Sequence, residues 1–110
     1  MVNIVAPWIR EHVVKPLTRS KGWRKVRANY IKKNPVCAAC GKKKKLQVHH
    51  IQDFSTHPEI ELDHSNLITL CANRGVNCHL TFGHLGSWRS INPNVESDAK
   101  WYLSKVQNRR

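Results

Sequence analysis

Four cysteines, spaced as two pairs, constrain this chain more than any other feature. Cys37 and Cys40 are two residues apart, and Gly41 follows them; Cys71 and Cys78 bracket a further six residues. A Cys-x-x-Cys knuckle bends the backbone so that two thiolates converge on one ion at about 2.3 Å, and a second pair completes a tetrahedron. The stretch between Cys71 and Cys78 carries Asn73, Gly75 and Asn77, residues that suit a looped-out insertion. A closed structural zinc site on Cys37, Cys40, Cys71 and Cys78 is therefore expected, with no open position for chemistry. Two disulfides, four free thiols, or a site in which His79 displaces one cysteine remain the alternatives. Met1 to Trp8 is too short and polar for the apolar stretch of a secretory signal, and no run of 18 apolar residues occurs. A reducing cytoplasm, where clustered cysteines bind metal more often than they form disulfides, is the expected location, with no membrane association.

The 110 residues allow one domain, and a domain of this size gains usefully from a metal staple. The pattern predicts an arm over residues 1–19 and a basic helix over 20–34, with Trp23, Val26, Tyr30 and Ile31 on one face. Asn34-Pro35 ends that helix, because a residue before proline is pushed out of helical geometry. Leu46 to Ile51 alternates and is rich in β-branched residues, which predicts a strand. Leu67-Ile68-Thr69-Leu70 predicts a second strand, and Cys78 to Leu85 a short helix limited by Gly83 and Gly86. The zinc-stapled core spans residues 35–93. Ser97 is read as the cap of a last helix over 97–107, with Ala99, Tyr102, Leu103 and Val106 on its inner face.

Three of the seven histidines are placed to do chemistry. His49-His50 lies on the first strand, where neighbours point to opposite faces, so one can ligate a metal while the other meets a substrate. His79 opens the short helix. A metal held by His49 and His79 keeps several positions for water and phosphate oxygens, as catalytic sites do. His12, His57 and His64 are read as surface. Trp23 and Trp88 are assigned to packing rather than to stacking on bases.

The ordered set Asn-Pro-x-Cys-x-x-Cys-Gly, Leu-Gln-Val-His-His-Ile, Asn66-Leu67 and Cys78-His79 resembles the HNH nuclease family over about residues 20–93. The stretch His79 to Trp88 is also similar to small HNH proteins of bacteriophages and prophages. The resemblance implies an α+β fold: a small ββα-metal core with a four-cysteine zinc knuckle, flanked by N- and C-terminal helices. It also implies a metal-dependent DNA endonuclease. In it His49 and His79 hold the catalytic ion, His50 takes a proton from the attacking water, and Asn66 holds the histidine-bearing segments in register. The ion is magnesium, manganese, nickel or zinc. Some relatives add a histidine one turn after the last ligand. Here Gly83 occupies that position, and an undistorted helix turns His84 about 500° from His79, well off its face. His84 is thus expected not to ligate, unless Gly83 breaks the helix and swings it back.

Nineteen Lys and Arg against seven Asp and Glu, a net +12, point to a polyanionic partner. Arg24, Lys25, Arg27, Lys42, Lys43, Lys44, Lys45 and Arg89 are the candidates for contacts to double-stranded DNA, on a chain read as a monomer. The competing reading is a non-catalytic zinc-knuckle DNA-binding module with structural histidines. A toxin or phage-packaging accessory would be a different biological role for the same chemistry.

Overall fold

The computed structural model describes residues 20–108; the arm expected over residues 1–19 lies outside the described residues, as do 109–110. Helix α1 spans Trp23–Lys33 and stops at Asn34, whose backbone N–H donates to the Tyr30 and Ile31 carbonyls. Lys32 and Lys33 occupy the last turn, where the helix dipole favours positive charge. The half-buried face is the one the periodicity predicts, with Arg27 added: Trp23, Val26, Tyr30 and Ile31 face inward. Tyr30 donates its hydroxyl to the Leu67 carbonyl at 2.8 Å, fixing the helix to the sheet.

Strands β1 (Leu46–His50) and β2 (Leu67–Cys71) form a two-stranded antiparallel sheet. The register sets His49 opposite Ile68 and His50 opposite Leu67. Ile51 falls just beyond β1, yet its N–H still donates to the Asn66 carbonyl at 2.8 Å, so the pairing runs one step past the strand end. Every residue of β2 is buried. A two-stranded sheet is marginal alone, and its faces are covered here by α1, by the segment after Cys78, and by a C-terminal helix. The core gathers Ile51, Ile68, Leu70, Val95 and Ala99 around Cys37, Cys71 and Cys78.

That last helix, α2, spans Val95–Asn108 and begins two residues before the expected start at Ser97. The reason is Asn92. Its Oδ1 accepts from Asn94 N–H at 2.9 Å, and the Asn94 carbonyl accepts the first helical bond from Asp98. Ser97 instead lies inside the first turn and donates its hydroxyl to the Asn94 carbonyl. The inner face is built by Val95, Ala99 and Tyr102, with Tyr102 against Phe82 at 5.0 Å between ring centroids. Asn92 also donates to Asp98 and to the Phe82 carbonyl, both at 2.8 Å, so one buried side chain ties α2 to the segment that carries His79.

Candidate metal centres and cleft

The knuckle is shaped by its backbone. Gly41 adopts φ +80°, which favours glycine, and its N–H donates to the Cys37 carbonyl at 3.0 Å. Ala38 N–H donates to the Thr69 carbonyl, joining the knuckle to β2. The Cys71–Cys78 insertion loops out as its composition predicts. Gly75 turns at φ +81°, Ala72 N–H donates to the Lys45 carbonyl, and the Asn73 amide donates to the Lys44 carbonyl. The four sulfurs of Cys37, Cys40, Cys71 and Cys78 then lie within 4.8 Å of one another.

Cys40 Sγ and Cys71 Sγ are 3.6 Å apart, and all four cysteines are free of disulfides. That distance is far beyond an S–S bond of about 2.05 Å. It is close to the roughly 3.8 Å edge of a tetrahedron with metal–sulfur bonds of about 2.3 Å. The thiols cannot all ionise unaided. Cys37 drops to about 4, chiefly because the Cys78 thiol donates to it, while that same bond and burial hold Cys78 up as a thiol. Burial pushes Cys40 up to about 11. Such crowding is relieved when a divalent cation supplies the balancing charge. The donor set fits zinc.

The second cluster is built at the end of β1. His49 is 4 % exposed and faces the wide turn His79–Gly83. The short helix expected over Cys78 to Leu85 is this π-type turn instead. Asn77 starts it, its Oδ1 accepting from Leu80 N–H at 2.9 Å. In an α-helix five residues rotate about 500°, whereas the wider i→i+5 winding brings residue i+5 back over residue i. His84 therefore returns over His79, with ring centroids 5.0 Å apart, and stands 4.9 Å from His49. The expectation that His84 points away from His79 does not hold. One ring nitrogen from each of His49, His79 and His84 lies within 4.8 Å of those of the other two, close enough for the three to hold one metal ion. Gly83 makes this possible: a Cβ there would sit 3.0 Å from the His49 ring.

The hydrogen bonds orient these rings for a cation. His79 Nδ1 donates to Gln47 Oε1 at 2.7 Å, and His84 Nδ1 donates to the Ser90 carbonyl at 2.8 Å. Each acceptor fixes the tautomer in which Nε2 presents a lone pair. His79 Nε2 and His49 Nδ1 are 3.1 Å apart. Two nitrogens bound to one ion at about 2.0–2.1 Å would stand roughly 2.9–3.4 Å apart. His49 Nε2 is buried without a hydrogen-bond partner, one of two such side-chain atoms among the described residues, with Thr69 Oγ1. Burial and the neighbouring histidines lower His49 to about 3, and burial with His84 lowers His79 to about 4. Both rings are neutral at pH 7, the form that binds metal. Three imidazoles fit a divalent transition metal.

His50 points the other way along the strand and is buried against α1. Its ring lies on Trp23 at 4.5 Å, and Nε2 donates to the Glu61 carbonyl at 3.0 Å. A carbonyl can only accept, so in the neutral ring the basic nitrogen is Nδ1. The loop supplying that carbonyl is clamped by Asn66. Its Oδ1 accepts from Gln52 N–H at 2.7 Å, and its Nδ2 donates to the Gln52 and Ile60 carbonyls. His49, His50, His79 and His84 then line one cleft of about 210 Å³, together with Val48, Asp53 and Trp88. Residues 37–84 match the family model described as HNH endonuclease. The matched segment runs from the first knuckle cysteine to the last clustered histidine, and that likeness supports nucleic-acid cleavage with divalent metal. Comparison with curated proteins and with solved structures returned no match.

Several positions of the candidate site carry no mark in the sequence. Gln47 reads as the exposed half of an alternating strand, and only the sheet shows it beside His79. Gly83 reads as a helix breaker rather than as room for the His49 ring. Trp23 packs against His50 as assigned, but Trp88 is 57 % exposed and sits outside the core. Packing is corrected to exposure there because the turn that returns His84 carries Trp88 out over the cleft. Lys42, Lys43, Lys44 and Lys45 line a shared depression, and the insertion adds Asn73 and Arg74 to it. Arg24, Lys25 and Arg89 are exposed, and Arg27 is partly covered. No helix among the described residues is long and apolar enough to cross a membrane.

Proposed function

We propose that this protein is a metal-dependent DNA endonuclease that hydrolyses phosphodiester bonds in the cleft at the end of β1. The observation that carries the reading is the convergence of His49, His79 and His84 beside a His50 whose Nε2 is already committed to Glu61. His50 takes the proton of the attacking water at Nδ1, with Trp23 and the Glu61 carbonyl holding its ring in place. Asn66 acts through the 52–61 loop, as the positioning residue for that carbonyl. A divalent ion, when bound by the three imidazoles, supplies charge stabilisation for the phosphate and the leaving 3′ oxygen. Zinc on the four cysteines is structural. Residues 35–93 form the working core of a single domain, and the His79 to Trp88 stretch supports placing it with small phage-type HNH proteins in the host cytoplasm.

The test is nicking of supercoiled plasmid by the purified monomeric chain. Three imidazole donors suit later metals better than magnesium, so manganese, nickel or zinc should support more nicking than magnesium, and EDTA should abolish it. A non-catalytic zinc-knuckle DNA-binding module predicts no nicking with any of these ions, and that result would overturn the reading. In the same assay His84→Ala should raise the metal concentration needed for half-maximal nicking by more than the roughly 10–100-fold typical of an outer partner such as Gln47. An unchanged metal requirement would remove His84 from the site.

The basic depression is proposed to hold the DNA backbone. Replacing Lys42 to Lys45 with alanine should lower the log–log salt slope of duplex binding by about 0.9 for each phosphate that is no longer neutralised. Fluorescence anisotropy across a salt series measures it, and an unaltered slope would show that the lysine run is a solvated turn.

A further inference from the structure

Among the described residues, Trp88 is the one large side chain that both lines the cleft and stands mostly in solvent. Its ring meets His79 edge-on at 5.3 Å and His84 at 4.9 Å, so the indole forms part of the rim beside the clustered histidines. The loop carrying it is held in shape. Ser87 N–H donates to the His84 carbonyl at 3.0 Å, Ser90 N–H donates to the Ser87 carbonyl at 2.8 Å, and His84 Nδ1 closes the loop onto Ser90. Leu85, also 57 % exposed, adopts φ +54°, a conformation that leucine rarely takes. Two large apolar side chains are thus presented to solvent, and Arg89 follows directly.

We infer that Trp88 is a substrate-positioning residue whose indole stacks on a nucleobase beside the scissile phosphate. The inference rests on the nuclease reading and extends it to the kind of DNA preferred. A flat apolar ring beside three histidines able to hold a cation, at the rim of a cleft of about 210 Å³, matches how single-stranded nucleic acid is gripped: stacking on the base, charge on the backbone. Within an intact duplex both faces of each base are covered by neighbours. Stacking on Trp88 therefore requires an opened step, and opening is least costly where a base is mismatched or unpaired. DNA with an unpaired base at the cleavage position is thus the favoured substrate class.

The experiment maps the wild-type cut on a short duplex, then compares that duplex with one carrying a single unpaired adenine at the cut. Wild type should cut the bulged duplex faster. Trp88→Ala should lose that preference through a KM increase of about 5–150-fold on the bulged DNA, the range of one aromatic–base stack. Its kcat and manganese requirement should stay near wild type. Trp88→Phe should keep most of the preference and show a smaller quench of tryptophan fluorescence than wild type when bulged DNA binds without added metal, the other three indoles still contributing signal. A preference retained by Trp88→Ala would overturn the inference. So would a loss appearing only as a higher manganese requirement, which would make the indole a wall of the histidine cluster. Equal cutting of both duplexes by wild type overturns this inference alone, whereas no cutting of either overturns the nuclease reading and this with it.

Discussion

Replacing His50 is expected to lower nicking by about 10²–10⁴-fold, the usual loss when a positioned general base is removed. The side chain is buried, and its Nε2–H serves the Glu61 carbonyl, so alanine also removes a structural bond. Depriving a buried acceptor of its donor costs about 1–3 kcal/mol, which predicts a measurable drop in stability for His50→Ala. His50→Gln separates the two effects. Its amide can still donate toward Glu61, yet no side-chain nitrogen remains to accept a proton at neutral pH. The glutamine variant should therefore melt closer to wild type while nicking as poorly as the alanine variant. Both should bind duplex DNA with near wild-type affinity by anisotropy, because the candidate phosphate-binding residues lie elsewhere on the chain. Near wild-type nicking by either folded variant would remove His50 from the role of base.

The parts of this site written into local sequence are those whose spacing is itself the chemistry. Cys37-x-x-Cys40-Gly41 needs a knuckle with a left-handed glycine, and the structure has one at φ +80°. His49-His50 on an alternating strand predicts two faces, and the rings do part, one to the π turn and one to Trp23. The helix over Trp23–Lys33 and the strands over Leu46–His50 and Leu67–Cys71 follow from periodicity and from Pro35. Features that are not legible locally depend on long-range packing. The winding of His79–Gly83 is read as α-helical from composition, because nothing local reports that the His49 ring will press against Gly83. Once it does, the wider turn brings His84 in, away from the position that α-helical geometry assigns it. Asn92 displaces Ser97 as the organiser of α2 for a similar reason: its partners Phe82 and Asp98 lie on either side of it in the chain and meet only after packing. Gln47 and Arg74 become functional candidates only through neighbours that other segments bring to them.

Loss of zinc from the cysteine cluster should unfold the domain. Among the described residues the core is small, and Cys37, Cys71 and Cys78 are among its most buried members. They hold together segments that have little else in common: the knuckle before β1, the end of β2, and the start of the turn that presents His79. Two strands alone do not make a stable sheet. Apparent zinc-binding energies in small domains are about 10–16 kcal/mol at pH 7, as large as the whole stability of a typical domain, about 5–15 kcal/mol. Cys37→Ser or Cys71→Ser is therefore expected to give a protein that aggregates or shows no cooperative unfolding by circular dichroism. The wild-type chain should carry about one tightly held zinc by metal analysis, matching one four-thiolate site. Its thiols should resist alkylation until chelator is added, and reductant alone should leave the fold intact. The two-disulfide alternative reverses that last result, since reductant would then unfold the protein and chelator would not. A soluble chain that still melts cooperatively after complete removal of zinc would show that the cysteines pack without the metal, and the structural zinc site would have to be abandoned.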